Sequence, residues 1–125
     1  MRIIETGFGY VVIDGIRYGH DIVVCNNSVF KRPKDLSRRY RGLFGHTPLS
    51  RRELEYIVSE ICRDFEYIVI GTGQYGALPV PDDTLVLLKG LGARVVVDKT
   101  PRVVDIINDL AAPGRRILAI IHVTC

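Results

Sequence analysis

An α/β fold is the architecture that the 125 residues predict, on three observations. Short apolar runs parted by turn dipeptides fill the first third, as β structure requires. Ser50-Arg51-Arg52-Glu53 marks a helix start, and residues 66–123 then alternate strand and helix patterns. That alternation places helices on the faces of a sheet. The length suits a single domain, 1–125, able to bury a core without staples.

The elements follow in order. Phe8 to Ile13 is an apolar run closed by the hairpin signal Asp14-Gly15. Ile16-Arg17-Tyr18 leads past Gly19 to a second strand, Asp21 to Cys25. Asn26-Asn27-Ser28 turns the chain into a short strand over 28–31. Residues 33–49 show neither period and contain two prolines and two glycines, so they predict a long functional or mobile loop. Ser50 and Glu53 form a capping box, in which each side chain satisfies the other's backbone amide. Leu54, Ile57, Val58, Ile61 and Cys62 then fall on one helical stripe. Glu66 to Ile70 is a buried strand, and a helix runs from about Asp82 to Leu91. Arg94 to Val97 is a strand, and Thr100-Pro101 caps and opens a helix to Ala112. Ile117 to Val123 is the last strand.

Composition narrows the class. Apolar residues make up 47% and charged residues 25%, with no low-complexity tract, which describes a soluble globular protein. The start MRIIETGFGY lacks an apolar run for a signal peptide or a membrane span, which predicts a cytoplasmic protein with no membrane partner. Cys25, Cys62 and Cys125 are odd in number and widely spaced, a pattern of free thiols in a reducing compartment. The net charge of +3 is unevenly spread. Residues 31–52 hold eight basic side chains against Asp35 alone, a local +7 that leaves −4 for the remainder. Lys31, Arg32, Arg38, Arg39 and Arg41 are therefore candidate docking residues for an acidic protein surface. Tyr40 and Phe44 interleave the arginines, so contact with nucleic acid through residues 31–41 is an alternative, and a solvated loop is the plainer one.

Gly71-Thr72-Gly73-Gln74-Tyr75-Gly76 spells G-x-G-x-x-G directly after a strand, and Asp98 ends the next strand. A dinucleotide-binding loop needs its helix to begin inside the motif, so that free amides meet the pyrophosphate. Here Pro79 and Pro81 delay the helix, because each lacks a donor and pushes the preceding residue out of helical geometry. No dinucleotide and no other cofactor is expected. The loop has two remaining readings. Gly71, Thr72, Gly73 and Gln74 bring backbone close to a small anionic ligand, or they form a tight turn that clears a neighbouring segment.

The chain also resembles a known family. The resemblance rests on Val69-Ile70-Gly71-Thr72-Gly73, Leu78-x-Val80-Pro81, Gly92-Ala93-Arg94-Val95, Thr100, Asn108, an arginine after Gly114, and His122-Val123-Thr124-Cys125. His46-Thr47-Pro48 matches the family's His-Ser/Thr-Pro step. The family is a small domain of unknown function, the MTH nine-three-eight-like domain. It is shared by a methanogen hypothetical protein, an adipogenesis-associated protein and a mitochondrial complex I assembly factor. The resemblance implies a three-layer α/β fold with a mixed central sheet and an N-terminal antiparallel β portion, and no established catalytic activity. Eukaryotic relatives carry tryptophans and acids before the His step, whereas this chain reads KRPKDLSRRYRGLFGH and has no tryptophan.

Other chemistry is thin. His122-x-x-Cys125 with His46 is too sparse for a metal site, so none is expected. His20 beside Asp21 reads as a surface pair. Asn108 flanks an apolar helix as a core hydrogen-bonder or a pocket wall. The leading expectation is a non-enzymatic binding or assembly module with a cleft near the glycine loop. The alternative is an enzyme or small anionic-ligand binder using His46 as acid/base, with Gly71 to Gln74, Thr100 and Asn108 lining the site.

Overall fold

The computed structural model describes residues 1–125. Three strands, β1 (Ile3–Gly7), β2 (Tyr10–Ile13) and β3 (Ile16–Tyr18), form an antiparallel meander. Asp14 and Gly15 both take positive φ, 51° and 82°, which supplies the left-handed turn that the hairpin signal predicts. β1 has no counterpart among the predicted strands. Its residues IIETG hold one buried side chain, Ile3, and the strand depends on pairing with β2.

The main sheet has five strands, β4 (Ile22–Cys25), β5 (Ser28–Lys31), β6 (Tyr67–Thr72), β7 (Arg94–Asp98) and β8 (Ile117–His122), in the order β5-β4-β8-β6-β7. β6, β7 and β8 are parallel, and β4 and β5 add antiparallel pairs, so the sheet is mixed as expected. Residues 33–49 contain short helical turns, including α1 (Arg41–Phe44). α2 (Arg51–Tyr56) continues as a π-wound segment over Ile57–Ile61. α3 spans Asp82–Gly90 and α4 spans Thr100–Ala111.

Strand periodicity builds the layers. In β8, Ile117, Ala119 and Ile121 face one core, while Leu118 and Ile120 face the other. β4 and β6 divide in the same way, with Ile22, Val24 and Val69 opposite Val23, Ile68 and Ile70. The first core is closed by Val103 and Ile107 of α4 and by Ile3, Val11 and Ile13 of the meander. The second is closed by Leu54 of α2, Ile57 of the π-wound segment and Leu88 of α3. Asn108 is a core hydrogen-bonder: its amide accepts from Ile3 N at 2.7 Å and donates to Ile3 O at 2.8 Å, fastening β1 to α4. No helix is long and apolar enough to cross a membrane.

The cysteine expectation needs correction. Cys25 and Cys62 are joined as a disulfide, their Cα atoms 5.5 Å apart, and only Cys125 is free. Packing of the end of the α2 segment against the end of β4 brings them together across 37 residues, a proximity that spacing does not encode. The inference of a reducing compartment loses its basis with this pairing. Closing a loop of that length should stabilise the chain by about 3–4 kcal/mol in the chain-entropy model. Denaturant unfolding with and without a thiol reductant should show that loss, and coincident curves would refute it.

Candidate functional site

Topology gathers the site at one sheet edge. The parallel strands end together, with Thr72 level with His122 and Gly71 level with Asp98. β4 is antiparallel to β8, so it begins at this edge, just after Asp21. β5 returns to the same edge and delivers Lys31 and Arg32. Arg32 N donates to Asp21 O at 3.0 Å and extends the ladder by one step.

Arg32 is the centre of a buried polar network. It is 3% exposed, so its expected place among the docking residues is corrected: it lies inside the protein. Its Nε donates to Glu53 Oε2 at 2.7 Å and its Nη2 to Glu53 Oε1 at 2.9 Å, a bidentate pair with a fully buried carboxylate. Nη1 donates to Asp21 Oδ2 at 2.9 Å, and Nη2 also reaches Pro48 O at 2.8 Å. Burial opposes the guanidinium charge, but Glu53 and Asp21 outweigh it and raise the Arg32 pKa above its ordinary value. Removing one partner of such a pair typically costs about 3–5 kcal/mol, because a charge is left buried alone.

Glu53 also corrects the capping box. Ser50 Oγ accepts from Glu53 N at 3.1 Å as expected, but the Glu53 carboxylate does not return to Ser50 N. It accepts from Ser37 Oγ instead, and Ser50 N donates to Ser37 Oγ at 3.1 Å. Arginine outcompeted the cap for the carboxylate, since a charge-assisted bidentate pair is the stronger interaction.

Asp21 connects this network to β8. Rather than forming a surface pair with His20, it is 6% exposed, and His20 Nδ1 meets only its backbone oxygen. Asp21 Oδ1 accepts from Val123 N at 2.9 Å, and Oδ2 lies 2.7 Å from His122 Nδ1. His122 Nε2 lies 3.3 Å from Thr124 Oγ1. Burial alone would raise the Asp21 pKa. The hydrogen bond and charge of His122, the Val123 amide and the Arg32 charge prevail, and hold it at about 2. Every buried side-chain nitrogen and oxygen has a partner.

An open cleft of about 560 Å³ lies over this network. Its walls include Lys31, Lys34, Arg38, His20 and Thr124, with Asp21 and Arg32 at the floor. Lys34 Nζ stands 3.9 Å from Asp21 Oδ2, and Arg38 pairs with exposed Asp35 at 3.0 Å. Arg39, another docking candidate, is exposed and lies over the Tyr40 ring at 5.5 Å; Arg41 opens α1 on the surface.

The glycine loop has internal partners. Gly73 N donates to Thr100 Oγ1 at 2.9 Å, and Gln74 N donates to Thr124 O at 2.7 Å. Tyr75 N and Ala77 N both donate to Cys125 O. Gly73 has φ of 101°, and a Cβ there would stand 2.4 Å from the Cys125 carbonyl carbon and 2.7 Å from His122 Cδ2. The geometry is that of a turn clearing the segment after β8, with the Gly73 and Gln74 amides already taken. Thr72 adds a side-chain bond to Asp98 O at 3.1 Å. α3 opens at Asp82, well past Gly76, as the prolines predict.

Thr100 is fully buried beside this loop, but Lys99 is the N-cap and Thr100 the first helical residue. Its hydroxyl donates to His122 O at 2.6 Å, and a Cβ on Gly71 would meet it at 2.8 Å. His46 is exposed on the loop before α2 and takes no part in the network. Asp21, Glu53, Ser37, His122 and Thr124 escaped sequence reasoning as a set, since Asp21 and His122 meet across 101 residues. The one local signal is an acid opening the apolar run Asp21-Ile22-Val23-Val24-Cys25.

Gly73→Ala should destabilise the fold by about 2 kcal/mol or more, through backbone strain and overpacking. A urea midpoint unchanged by that substitution would disprove the clearance role. Because the folded Asp21 pKa lies below its ordinary 3.8, Asp21 contributes stability that is complete above that value. The contribution, roughly 2 kcal/mol, is lost as pH falls from about 4 through about 2. Urea unfolding across that range should be less pH-dependent in Asp21→Asn, and parallel pH profiles would contradict the linkage.

Comparison with known proteins agrees with this architecture. The chain is similar to the conserved hypothetical protein PH1505 from Pyrococcus horikoshii OT3, at 35% identity over 100% of both chains, with a TM-score of 0.84. It is similar to the protein MT938 at 34% identity, over 99% of this chain and 98% of that one, with a TM-score of 0.72. A Mth938-like domain from Bordetella pertussis shares the fold at 20% identity, with 98% of this chain and 85% of that one covered and a TM-score of 0.59. No curated protein is similar to it. Residues 3–122 match the family described as protein of unknown function (DUF498/DUF598), and the chain belongs to that family.

Proposed function

We propose that the domain is a binding and assembly module whose basic cleft docks an acidic segment of a protein partner. The observation that carries this reading is the division of charge at the sheet edge. Asp21 and Glu53 share Arg32 inside the protein, and Lys34 faces Asp21 at 3.9 Å, while Lys31 and Arg38 stand exposed on the cleft walls. Lys31 and Arg38 are exposed, and the acid that faces them, Asp35, is engaged only by Arg38. A rim of this kind steers an acidic chain into register and raises its association rate.

The cleft adjoins the glycine loop rather than including it. Thr124 belongs to the cleft wall, and its carbonyl accepts the Gln74 amide. An acidic ligand in the cleft is therefore held by side chains on the β5 side, and the loop supports that wall from behind.

A fluorescent oligoglutamate peptide titrated by anisotropy should bind in a salt-dependent manner. Combined Lys31→Glu, Lys34→Glu and Arg38→Glu should reduce affinity by about tenfold or more, while unfolding stays cooperative. Equal affinity in the triple variant would remove the docking reading. Tighter binding of an oligonucleotide than of the peptide would favour nucleic acid through residues 31–41 instead.

A further inference from the structure

The docking reading leaves one feature of the cleft unused, the hydroxyl of Thr124 against the His122–Asp21 pair. Asp21 Oδ2 accepts from Arg32 Nη1 and faces His122 Nδ1 at 2.7 Å, while Oδ1 is held by the Val123 amide. A carboxylate ionised at neutral pH has no proton to give, so His122 Nδ1 must be the donor. In the neutral imidazole the other nitrogen, Nε2, then carries the lone pair. Its neighbour is Thr124 Oγ1 at 3.3 Å, so the hydroxyl donates toward the ring. This is the order of groups that activates an alcohol: hydroxyl, base, and an anion that fixes the base's tautomer.

The placement is rigid where an activating pair needs rigidity. His122 is 6% exposed, its carbonyl is held by Thr100 Oγ1, and Gly73 lies against its ring with no Cβ to displace it. Thr124 is half-buried and is itself a lining residue of the cleft, so the pair lies at the cleft wall. Lys34 Nζ stands 3.9 Å from Asp21 Oδ2, which puts a cation beside the carboxylate that positions the base.

We propose that Thr124 is a nucleophile that takes an acyl group from an activated, anionic acyl donor bound in the basic cleft. His122 is the general base, and Asp21 is the positioning residue behind it. Thr124 Oγ1 bonds to the donor's carbonyl carbon as its proton moves to His122 Nε2. The negative charge on the tetrahedral oxygen develops inside the basic cleft. Collapse then breaks the bond to the leaving oxygen, which departs as an anion, and His122 releases its proton to water. The products are acyl-threonine, the leaving anion and one proton, with no electron transferred. The donor class is an activated ester or acyl phosphate carrying a carboxylate or phosphate, which Lys31, Lys34 and Arg38 would hold.

The test compares p-nitrophenyl succinate, whose free carboxylate is anionic, with neutral p-nitrophenyl acetate on the intact protein. Nitrophenolate release is followed by absorbance, and the modified residue is identified by peptide mass mapping. The expected result is a stoichiometric burst with the acyl group on Thr124, severalfold faster for the succinate ester. Thr124→Val, which keeps the shape and removes the hydroxyl, should abolish the label, and Thr124→Ser should restore it. His122→Gln should slow labelling about a hundredfold. Unfolding midpoints of all variants identify any that do not fold, and the serine rescue stands apart from a structural effect. A label confined to lysines, or an undiminished burst in Thr124→Val, would overturn the proposal. Equal rates for the two esters would overturn the anionic donor. Oligoglutamate binding and acyl labelling are read separately on the unaltered protein: binding without a label on Thr124 sinks this proposal alone, and a label without peptide binding sinks the docking reading alone.

Discussion

The Arg32 guanidinium, buried between two carboxylates, is the constraint that organises the structure. A charge placed inside a low-dielectric core is tolerated only where its donors are matched. Glu53, Asp21 and the Pro48 carbonyl supply that match from three separate parts of the chain. α2 must therefore start beside the end of β5, the loop through Pro48 must pass beneath it, and β4 must begin where Asp21 can reach inward. Leu49 in that loop is fastened in turn to Pro79 and Thr84, so the same requirement extends to α3.

Around this fixed point the sheet edge divides its work between buried and exposed groups. Hydrogen bonds that would be weak in water gain strength inside and make the network rigid. Lys31 ends β5, and Lys34 and Arg38 project from the short helical turns after it, on the wall of the cleft. Interior charges here set geometry, and rim charges stay in contact with water. Replacing the interior set by apolar residues of similar volume would not necessarily lower stability. It would remove the means by which Asp21 holds His122 in one tautomer.

The glycine loop and the segment after β8 form the other half of the edge. Four loop amides, those of Gly73, Gln74, Tyr75 and Ala77, are used on Thr100 and on the carbonyls of Thr124 and Cys125. The missing Cβ atoms at Gly71 and Gly73 create room for Thr100, Val103, His122 and Cys125. Thr124 is consequently fixed at its backbone by the loop while its hydroxyl faces His122. A sequence that imitates a nucleotide cradle serves here as the support of a side-chain array.

Local physics was enough for most of the elements. Apolar runs marked β6 to β8, the stripe after Ser50 marked α2, and Gly and Thr-Pro signals bounded α3 and α4, because each such signal lies within its own stretch of chain. Asp14-Gly15 and the two prolines before α3 were legible for the same reason, since their backbone restrictions belong to single residues. The uneven charge over residues 31–52 was also plain from composition. β1 was not, because IIETG has no periodic apolar face and becomes a strand only through its pairing with β2 and the Asn108 clamp. The Cys25–Cys62 bond, the capture of Glu53 by Arg32 and the contact of Asp21 with His122 likewise belonged to the tertiary structure alone. Each joins residues far apart in sequence, and a side chain's partner is chosen by which strand ends meet at one edge, which no local pattern records.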